Sequence, residues 1–582
     1  MKKKKPMTQK SPQLEEVMKS IQEKKPEVAK WIKEEQDLLL EWSSAYIYKE
    51  MSGKKKKKHL LEKIEEKVDF TEMEEACQTY HKRSGKGSAV THQVEKLIRM
   101  LVVRYLYNQS LRETEEDVNW HIKKKQFVGY RIGEACADHT TLSRFENYVM
   151  VNHPRVLFDS VLEQILEGYP SEKEKKQMAD TFAILANAAL ETLIERLRHC
   201  GQELTKACKR GMGSQYKELY EKIEKEHLFG EERERAEWKL GNKEKQERLK
   251  RTVVALNQLV QVVKGTVQSE EMRQWVERIE KIFKDELRLQ YDEDQEVVGM
   301  TVRKEKERGT YRTCSGTDPD ATIRNHGPEK VDYGFNGSIL ATNRFIMETQ
   351  VDTGSRPDEQ ALPEMLASQL KHHNHAPEKV IYDSAAGKGE SLQAVHNATN
   401  GKTQLVVKLK QVGCKKGIFT PQHFTLSDDQ LSLTCPNGKT TTRKYRSGSG
   451  DGHTFRFPAK GCQGCRFRSR CRENDKPNTP RNVFVSRHYS LVERALAYAE
   501  TDAFKDEMRF RSHVERMIAI FVLFCGGRQA IFRSTPKVDF QVKMQATMFN
   551  LKTWCALDDK KKREVSPKLP RRFRAPVPNP DG

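Results

Sequence analysis

An ordered succession of strand and helix patterns between residues 333 and 410 constrains the fold of this chain more than any other feature. Four segments in it read as strands and two as helices, because their apolar residues recur with the periods of those structures. In chain order the segments are YGFNGSILATN (333–343, strand), RFIMETQVDTG (344–354, strand), LPEMLASQLKHH (362–373, helix), KVIYDS (379–384, strand), ESLQAVHNA (390–398, helix) and QLVVKLK (404–410, strand). The first two strands meet at Asn343 in a hairpin-like pattern. This order predicts an α/β fold with a mixed sheet.

Length and charge limit the classes of protein that the sequence allows. A chain of 582 residues is longer than one hydrophobic core usually supports, so several domains are expected. Its 104 Lys and Arg residues exceed its 83 Asp and Glu residues, which gives a net charge of +21. Such a balance favours a polyanionic partner, nucleic acid above all, over a merely soluble basic protein.

Two features favour a cytoplasmic protein. The longest apolar run, Met517 to Cys525, is well short of the roughly 20 residues that a transmembrane helix needs. The N-terminal MKKKKPMTQKSPQ is basic but lacks the apolar core of a signal peptide. We therefore expect a reducing compartment, in which cysteines are thiols or metal ligands rather than disulfides.

Shifts in composition predict eight segments. The region over 89–170 has three short helical patterns within a basic chain, and it resembles a helix-turn-helix module, although a plain helical subdomain is the alternative. The predicted segments are a basic, partly disordered and partly helical region (1–88), the helix-turn-helix-like region (89–170), a strand (171–182), a helical insertion (183–299), the mixed α/β core (300–425), a cysteine-rich insertion (426–480), a helical C-terminal part of the core (481–560) and a disordered basic tail (561–582).

Two acids stand where chemistry is expected. Asp383 lies at the end of its predicted strand, directly before the glycine-containing SAAGKGES, and carboxylates at strand ends in α/β folds are exposed to ligands. Glu515 lies on the apolar helical run 509–532, one turn after Arg511. The alternative for Asp383 is a turn-forming residue, and the alternative for Glu515 is an ordinary ion pair between residues four apart.

Several motifs together resemble the DDE transposases of bacterial insertion sequences, whose catalytic core is RNase H-like. They are MADTFAILANAA (178–189), VIYDSAAGKGES (380–391), RSHVERMIAIFVLFCGGRQAIF (511–532) and QVKMQATMFNLKTW (541–554). The resemblance implies that Asp180, Asp383 and Glu515 are the three catalytic acids. Asp318, in GTDPDATIRNHG, is the alternative first acid.

The resemblance also implies a reaction and its partners. Three carboxylates would hold Mg²⁺ or Mn²⁺ for hydrolysis at each transposon end and for attack of the freed 3′-hydroxyl on target DNA. The implied partners are double-stranded DNA, with its terminal inverted repeats and target, and a second copy of the chain in a homodimer associated with the nucleoid. Arg511, Arg528 and Arg144 are the implied DNA contacts.

The sequence departs from the family pattern at two positions, one directly before the predicted catalytic helix and one on it. Met508 occupies the place of a frequent tyrosine, and Val522 the place where some relatives carry lysine. The handling of DNA ends could therefore differ from that of the family. Two alternatives to a transposase are a noncatalytic DNA-binding protein derived from such an enzyme and an RNase H-like nuclease without strand transfer.

Four cysteines form a cluster in the sequence. Cys435 is followed by Cys462, Cys465 and Cys471 in CQGCRFRSRC. A Cys-x-x-Cys pair with two further thiols meets the count for a structural Zn²⁺ site. Reduced structural cysteines are the alternative. The other eight cysteines have no such spacing and are expected in hydrophobic cores.

Overall fold

The computed structural model describes most of the chain and divides it into two compact units. Unit one comprises Met1–Gln164 and Asn550–Gly582, and unit two comprises Ile165–Phe549. The described residues are 27, 30, 38–39, 41–49, 58–83, 92–213, 215–222, 225–231, 233–309, 311–325, 331–409, 417–448, 450–472 and 479–561. Of the predicted basic N-terminal region (1–88), the structure describes residues 27, 30, 38–39, 41–49 and 58–83, whereas the predicted disordered tail (561–582) lies outside the described residues except for residue 561.

Unit one is helical. Its helices are α1 (Leu60–Lys67), α2 (Thr71–Cys77), α3 (Val94–Leu106), α4 (Leu111–Trp120), α5 (Ile122–Val128), α6 (His139–Asn152) and, running past its end, α7 (Val156–Gly168). Helix α4 begins at a capping box between Ser110 and Glu113, and α6 begins where the Asp138 side chain accepts a hydrogen bond from the Thr141 N–H. Both devices satisfy N–H groups that a helix start leaves free.

Helix α5 of unit one was not predicted from the sequence. Three helical patterns were expected between residues 94 and 149, and each is present, but α5 lies between the second and the third. Its sequence, IKKKQFV, carries three consecutive lysines that hide its apolar face. All three are buried; the Lys123 and Lys124 ammonium groups pair with Glu62 and Asp117.

Unit two is built on a mixed sheet that contains the predicted hairpin. Its strands are β1 (Gln177–Leu185), β4 (Thr322–Asn325), β5 (Val331–Ala341), β6 (Ile346–Thr353), β7 (Lys379–Ile381) and β8 (Gln404–Val406). The order is β6, β5, β1, β7, β8, with β4 pairing to the first residues of β5. Strands β6, β5 and β1 are antiparallel neighbours, whereas β1, β7 and β8 are parallel. The predicted mixed α/β sheet is therefore confirmed.

Helices cover both faces of this sheet, and the alternation of side chains along β1 decides which residue meets which helix. Ala179 and Val380 face one way and belong to a core with Leu366 of α13 (Ala361–His373) and Val395 of α14 (Gly389–Ala398). Met178 and Ile381 face the other way, and they pack with Val514 of α18 (Ser512–Phe524). Asp180 is two residues from Met178, so it lies on the face that α18 covers.

Between β1 and β4 the chain forms a helical subdomain with its own core. Its elements are α8 (Leu193–Gly211), α9 (Gln215–Lys222), α10 (Lys225–Phe229), α11 (Asn242–Lys264), α12 (Glu270–Glu286), β2 (Leu287–Tyr291) and β3 (Val297–Val302). The helical insertion was predicted over 183–299, but strand β1 continues to Leu185 and the last part is a hairpin. Asp292 forms the turn of this hairpin, because its carboxylate accepts hydrogen bonds from the N–H groups of Asp294 and Glu296.

The cysteine-rich segment folds mainly as short strands. They are β9 (Thr425–Leu426), β10 (Leu433–Thr434), β11 (Thr440–Thr441), β12 (Lys444–Arg446), β13 (Gly452–Phe457) and β14 (Arg481–Ser486), with the four-residue helix α15 (Arg468–Cys471). Phe424, Phe455 and Val483 are among the buried residues at its centre. Three helices follow before the last one: α16 (Tyr489–Ala499), α17 (Asp502–Phe510) and α18; the last is α19 (Thr535–Lys561).

Candidate active site

Asp180 lies in the middle of the central strand β1. It pairs with Ile339 across the sheet, and its side chain is 18% exposed. One carboxylate oxygen, Oδ1, accepts a hydrogen bond from the Thr181 N–H at 2.8 Å. The second oxygen, Oδ2, is directed at the Arg511 guanidinium. The strand therefore holds this acid firmly, with one oxygen engaged by the backbone and one by a cation.

Asp383 follows the neighbouring strand β7. Its side chain accepts a hydrogen bond from the Ala385 N–H at 2.7 Å and caps the short 3-10 turn Ser384–Ala386. The turn-forming role considered for it is thus present. Strands β1 and β7 are parallel neighbours, so the acid that follows β7 can lie close to the acid on β1.

Glu515 and Arg511 form the ion pair that their spacing predicts, but Arg511 also reaches β1. The Nη2 nitrogen of Arg511 lies 3.4 Å from Glu515 Oε1 and 3.3 Å from Asp180 Oδ2. Because both carboxylate oxygens lie at these distances from the same nitrogen, the separation between them cannot exceed the sum of the two distances. The guanidinium therefore links the catalytic candidates of β1 and α18, which the sequence places far apart.

Burial and neighbouring charge act together on Asp180. Burial raises the pKa of its carboxyl above the ordinary value, and the negative charge of Asp383 raises it further. The Thr181 N–H and the Arg511 guanidinium lower the pKa, but they do not cancel the rise. The structure thus brings Asp180, Asp383, Glu515 and Arg511 into one electrostatic neighbourhood.

Tyr382 belongs to the same neighbourhood and was missed by the sequence. It is buried directly before Asp383, and its hydroxyl donates a hydrogen bond to the Asp358 carbonyl oxygen at 2.9 Å. Burial raises its pKa far above the ordinary value, and the charges of Asp358, Asp180 and Asp383 add to the rise. In the sequence, the one indication that Tyr382 lies near the candidate acids was its position directly before Asp383.

The donor atoms suit a hard divalent cation, because carboxylate oxygens are the ligands that Mg²⁺ and Mn²⁺ prefer. A cationic guanidinium already lies between two of the acids, which shows that the site attracts positive charge. In the parts of the chain that the structure describes, no three His, Cys, Asp or Glu side chains are arranged to hold a metal ion.

Asp318, the alternative first acid, lies elsewhere and has a structural partner. It is fully buried, and its carboxylate accepts a hydrogen bond from the Ser534 N–H at 3.2 Å. Asp320 accepts one from the Thr535 N–H at 2.9 Å. Together the two acids accept hydrogen bonds from N–H groups at the start of α19, as acidic residues commonly do at helix N-termini.

The two remaining arginine candidates differ in their surroundings. Arg528 donates hydrogen bonds to the Ala183 carbonyl at 3.3 Å and to the Asp332 carboxylate at 3.2 Å, and its side chain is 47% exposed. It holds the segment after α18 against β1. Arg144 is exposed on α6 of unit one.

The four clustered cysteines line one cavity of about 250 Å³. The Lys439 N–H donates a hydrogen bond to the Cys435 sulfur at 3.4 Å. Burial raises the pKa of the Cys462 and Cys471 thiols, and the other thiols of the cluster raise both further. All four are free thiols. Of the other eight cysteines, the seven described ones are buried, as predicted, and Cys414 lies outside the described residues.

No helix among the described residues combines the length and the apolar character needed to cross a membrane. No curated protein and no solved structure is significantly similar to the chain.

Two family models match the chain. The first, described as a transposase domain (DUF772), matches residues 49–148, which include Arg144. The second, described as a transposase DDE domain, matches residues 434–555, which include the four clustered cysteines, Arg511 and Glu515. Both descriptions name transposases, and the two matches together support a DDE transposase of insertion sequences.

Proposed function

We propose that this transposase cleaves DNA at transposon ends and joins the freed ends to target DNA, with Asp180, Asp383 and Glu515 as its three acids. One observation carries the proposal: a single Arg511 nitrogen lies within ion-pair distance of Asp180 on β1 and of Glu515 on α18. Asp383, on the strand beside β1, acts electrostatically on the same Asp180. The strand order β6, β5, β1, β7, β8 supports an RNase H-like core.

The residues present fit Mg²⁺ or Mn²⁺, which would supply charge stabilisation and an activated water. Asp180, Asp383 and Glu515 would hold the ion. Strand β1 fixes the position of Asp180, and the Ser384–Ala386 turn fixes that of Asp383. The half-exposed Glu515 side chain, 55% accessible, leaves the site open for a DNA strand.

In the proposed reaction, hydrolysis breaks the phosphorus–oxygen bond to a 3′ oxygen at each end of the element. The released 3′-hydroxyl then attacks a phosphorus atom of target DNA, and the 3′ oxygen of the target strand leaves. Arg511 is suited to bind a phosphate oxygen during these steps, since guanidinium groups recognise phosphate in a bidentate manner.

The partners follow from the same reaction. Unit one supplies a helical region, with Arg144 exposed on α6, which we assign to end recognition in the manner of a helix-turn-helix module. Arg528, half exposed beside β1, is a further contact for the DNA backbone. Because two ends must be joined to one target, the working form is a homodimer on double-stranded DNA.

Zn²⁺ is proposed as a structural ion of the cysteine-rich segment. The support is the common cavity of Cys435, Cys462, Cys465 and Cys471 and the N–H to sulfur hydrogen bond at Cys435, which stabilises a thiolate. A tetrahedral set of four thiolates is the usual structural zinc site.

The test of the main proposal is cleavage of a DNA duplex that carries the ends of the element, with Mg²⁺. Wild type should produce 3′-hydroxyl ends and joined products, and Glu515→Gln should produce neither while still binding the duplex. Cleavage without joining in the wild type would favour a nuclease. Cleavage by Glu515→Gln at the wild-type rate would refute the assignment of the acids.

A further inference from the structure

Arg511 makes two ion pairs of unusual form. A single nitrogen, Nη2, serves both carboxylates, at 3.3 and 3.4 Å, instead of the bidentate fork that guanidinium and carboxylate groups prefer. Only the contact with Asp180 is also a hydrogen bond. Among the described residues, the buried Nε of Arg511 has no hydrogen-bond partner. The guanidinium is therefore held by two carboxylates and by little else.

Another arginine of the same unit shows what a firmly held side chain looks like. Arg356 donates to Glu364 through Nη2 and to Asp352 through Nη1, and its Nε donates to Gln360 at 3.3 Å. Every nitrogen of its guanidinium has a partner. By comparison, Arg511 is loosely bonded, although it lies between two acids.

The two elements that carry these acids are fixed independently of Arg511. Asp180 belongs to the central strand β1, and α18 is anchored by the buried Val514 and Phe521. Phe521 packs edge-on against Phe182 of β1, with ring centroids 5.4 Å apart. Loss of the guanidinium from its place would therefore leave the carboxylates where they are.

From this we propose that Arg511 is the resident cation of the metal-free site, occupying the space between Asp180 and Glu515 and leaving it when a divalent ion binds. This deepens the proposed function and rests on it, because it assumes that these acids bind metal. Removing the arginine removes a competitor and makes metal binding tighter. Released from the acids, the guanidinium becomes available to a DNA phosphate beside them.

The experiment is a Mn²⁺ titration of the full chain without DNA, followed by electron paramagnetic resonance. Arg511→Gln should bind Mn²⁺ about five-fold more tightly, the factor that roughly 1 kcal/mol of lost ion pairing represents. Arg511→Lys, which keeps the charge, should stay near wild type. Arg509→Gln is the matched control, because Arg509 is 80% exposed and its ion pair is with the exposed Asp506.

The outcomes separate this inference from the proposed function. Suppose that wild type binds Mn²⁺ and that Glu515→Gln abolishes this binding. If Arg511→Gln then binds Mn²⁺ no more tightly than wild type, the inference is overturned and the proposed function stays intact. Asp180→Asn and Glu515→Gln should each weaken Mn²⁺ binding, both in the wild-type chain and in the Arg511→Gln chain. If neither substitution changes Mn²⁺ binding in either chain, the proposed metal site is wrong. Melting temperature gives a second readout: Arg511→Gln should melt earlier without metal and gain more stability from Mn²⁺.

Discussion

The packing of α18 on β1 positions the helix that carries Glu515, and Phe521 is a central contact of this packing. The side chain is fully buried, and its ring meets Phe182 at an interplanar angle of 69°. A Cβ added at Gly527 would lie 2.5 Å from the ring, so the turn after the helix closes tightly over it. Truncation to alanine therefore leaves a void that the backbone cannot readily fill.

The cost of Phe521→Ala can be worked from this burial. A buried phenylalanine removes at least about 150 Å² from water, which is roughly 4 kcal/mol at 25 cal/mol per Å². Measured Phe→Ala changes in protein cores span about 3–5 kcal/mol, and the aromatic pair contributes about 1 kcal/mol of this. We expect the free energy of unfolding of unit two to fall by about 3–5 kcal/mol.

The assay is urea unfolding at neutral pH, followed by hydrogen exchange of the α18 amides. Leu523→Ala is the control on the same helix, because Leu523 is 71% exposed and should change the stability by less than about 0.5 kcal/mol. At a temperature where Phe521→Ala remains folded, DNA cleavage should also fall, since Glu515 loses its fixed position. A Phe521→Ala protein as stable as the control would refute the packing argument.

Two further predictions concern groups outside the three acids. Asp318→Ala should lower the free energy of unfolding by about 1–2 kcal/mol, because it removes a buried cap of α19, and it should leave the Mg²⁺-dependent cleavage rate per folded molecule unchanged; loss of cleavage in fully folded protein would return Asp318 to the list of candidate acids. Protein purified without chelators should contain about one Zn²⁺ per chain by mass spectrometry, and Cys462→Ser with Cys465→Ser should contain none, whereas Cys208→Ser, at a buried cysteine of another core, should keep the ion. Absence of zinc from the wild type would leave the four thiols as reduced structural cysteines.

The central sheet was predictable from the sequence because its signals are local. Strand and helix periods in 333–410 recur where β5 to β8 and their two helices lie. Among the elements that were not predicted, two have clear physical reasons. Helix α5 buries three lysines whose ammonium groups find partners, so its sequence reads as polar, and the hairpin β2–β3 follows a long helical pattern and depends on the Asp292 turn.

The residues of the candidate site could be named one by one from the sequence, but their arrangement could not. Each acid stands in a recognisable local context, whereas the contact between Arg511 and Asp180 joins β1 to the start of α18 across the chain. No local pattern encodes such a contact, because it depends on which face of β1 the helix covers. The same holds for Asp318, whose capping role appears only when α19 is brought to it.

The central claim, that Asp180 and not Asp318 holds the catalytic metal, is tested most directly by exchanging the metal ligand for sulfur. With the duplex that carries the element's ends, Asp180→Cys should be inactive with Mg²⁺ and regain activity with Mn²⁺, because a thiolate binds the hard Mg²⁺ poorly and the softer ion better. Asp318→Cys should cleave with either ion. Full Mg²⁺-dependent cleavage by Asp180→Cys, or a metal switch at Asp318→Cys in its place, would contradict the account.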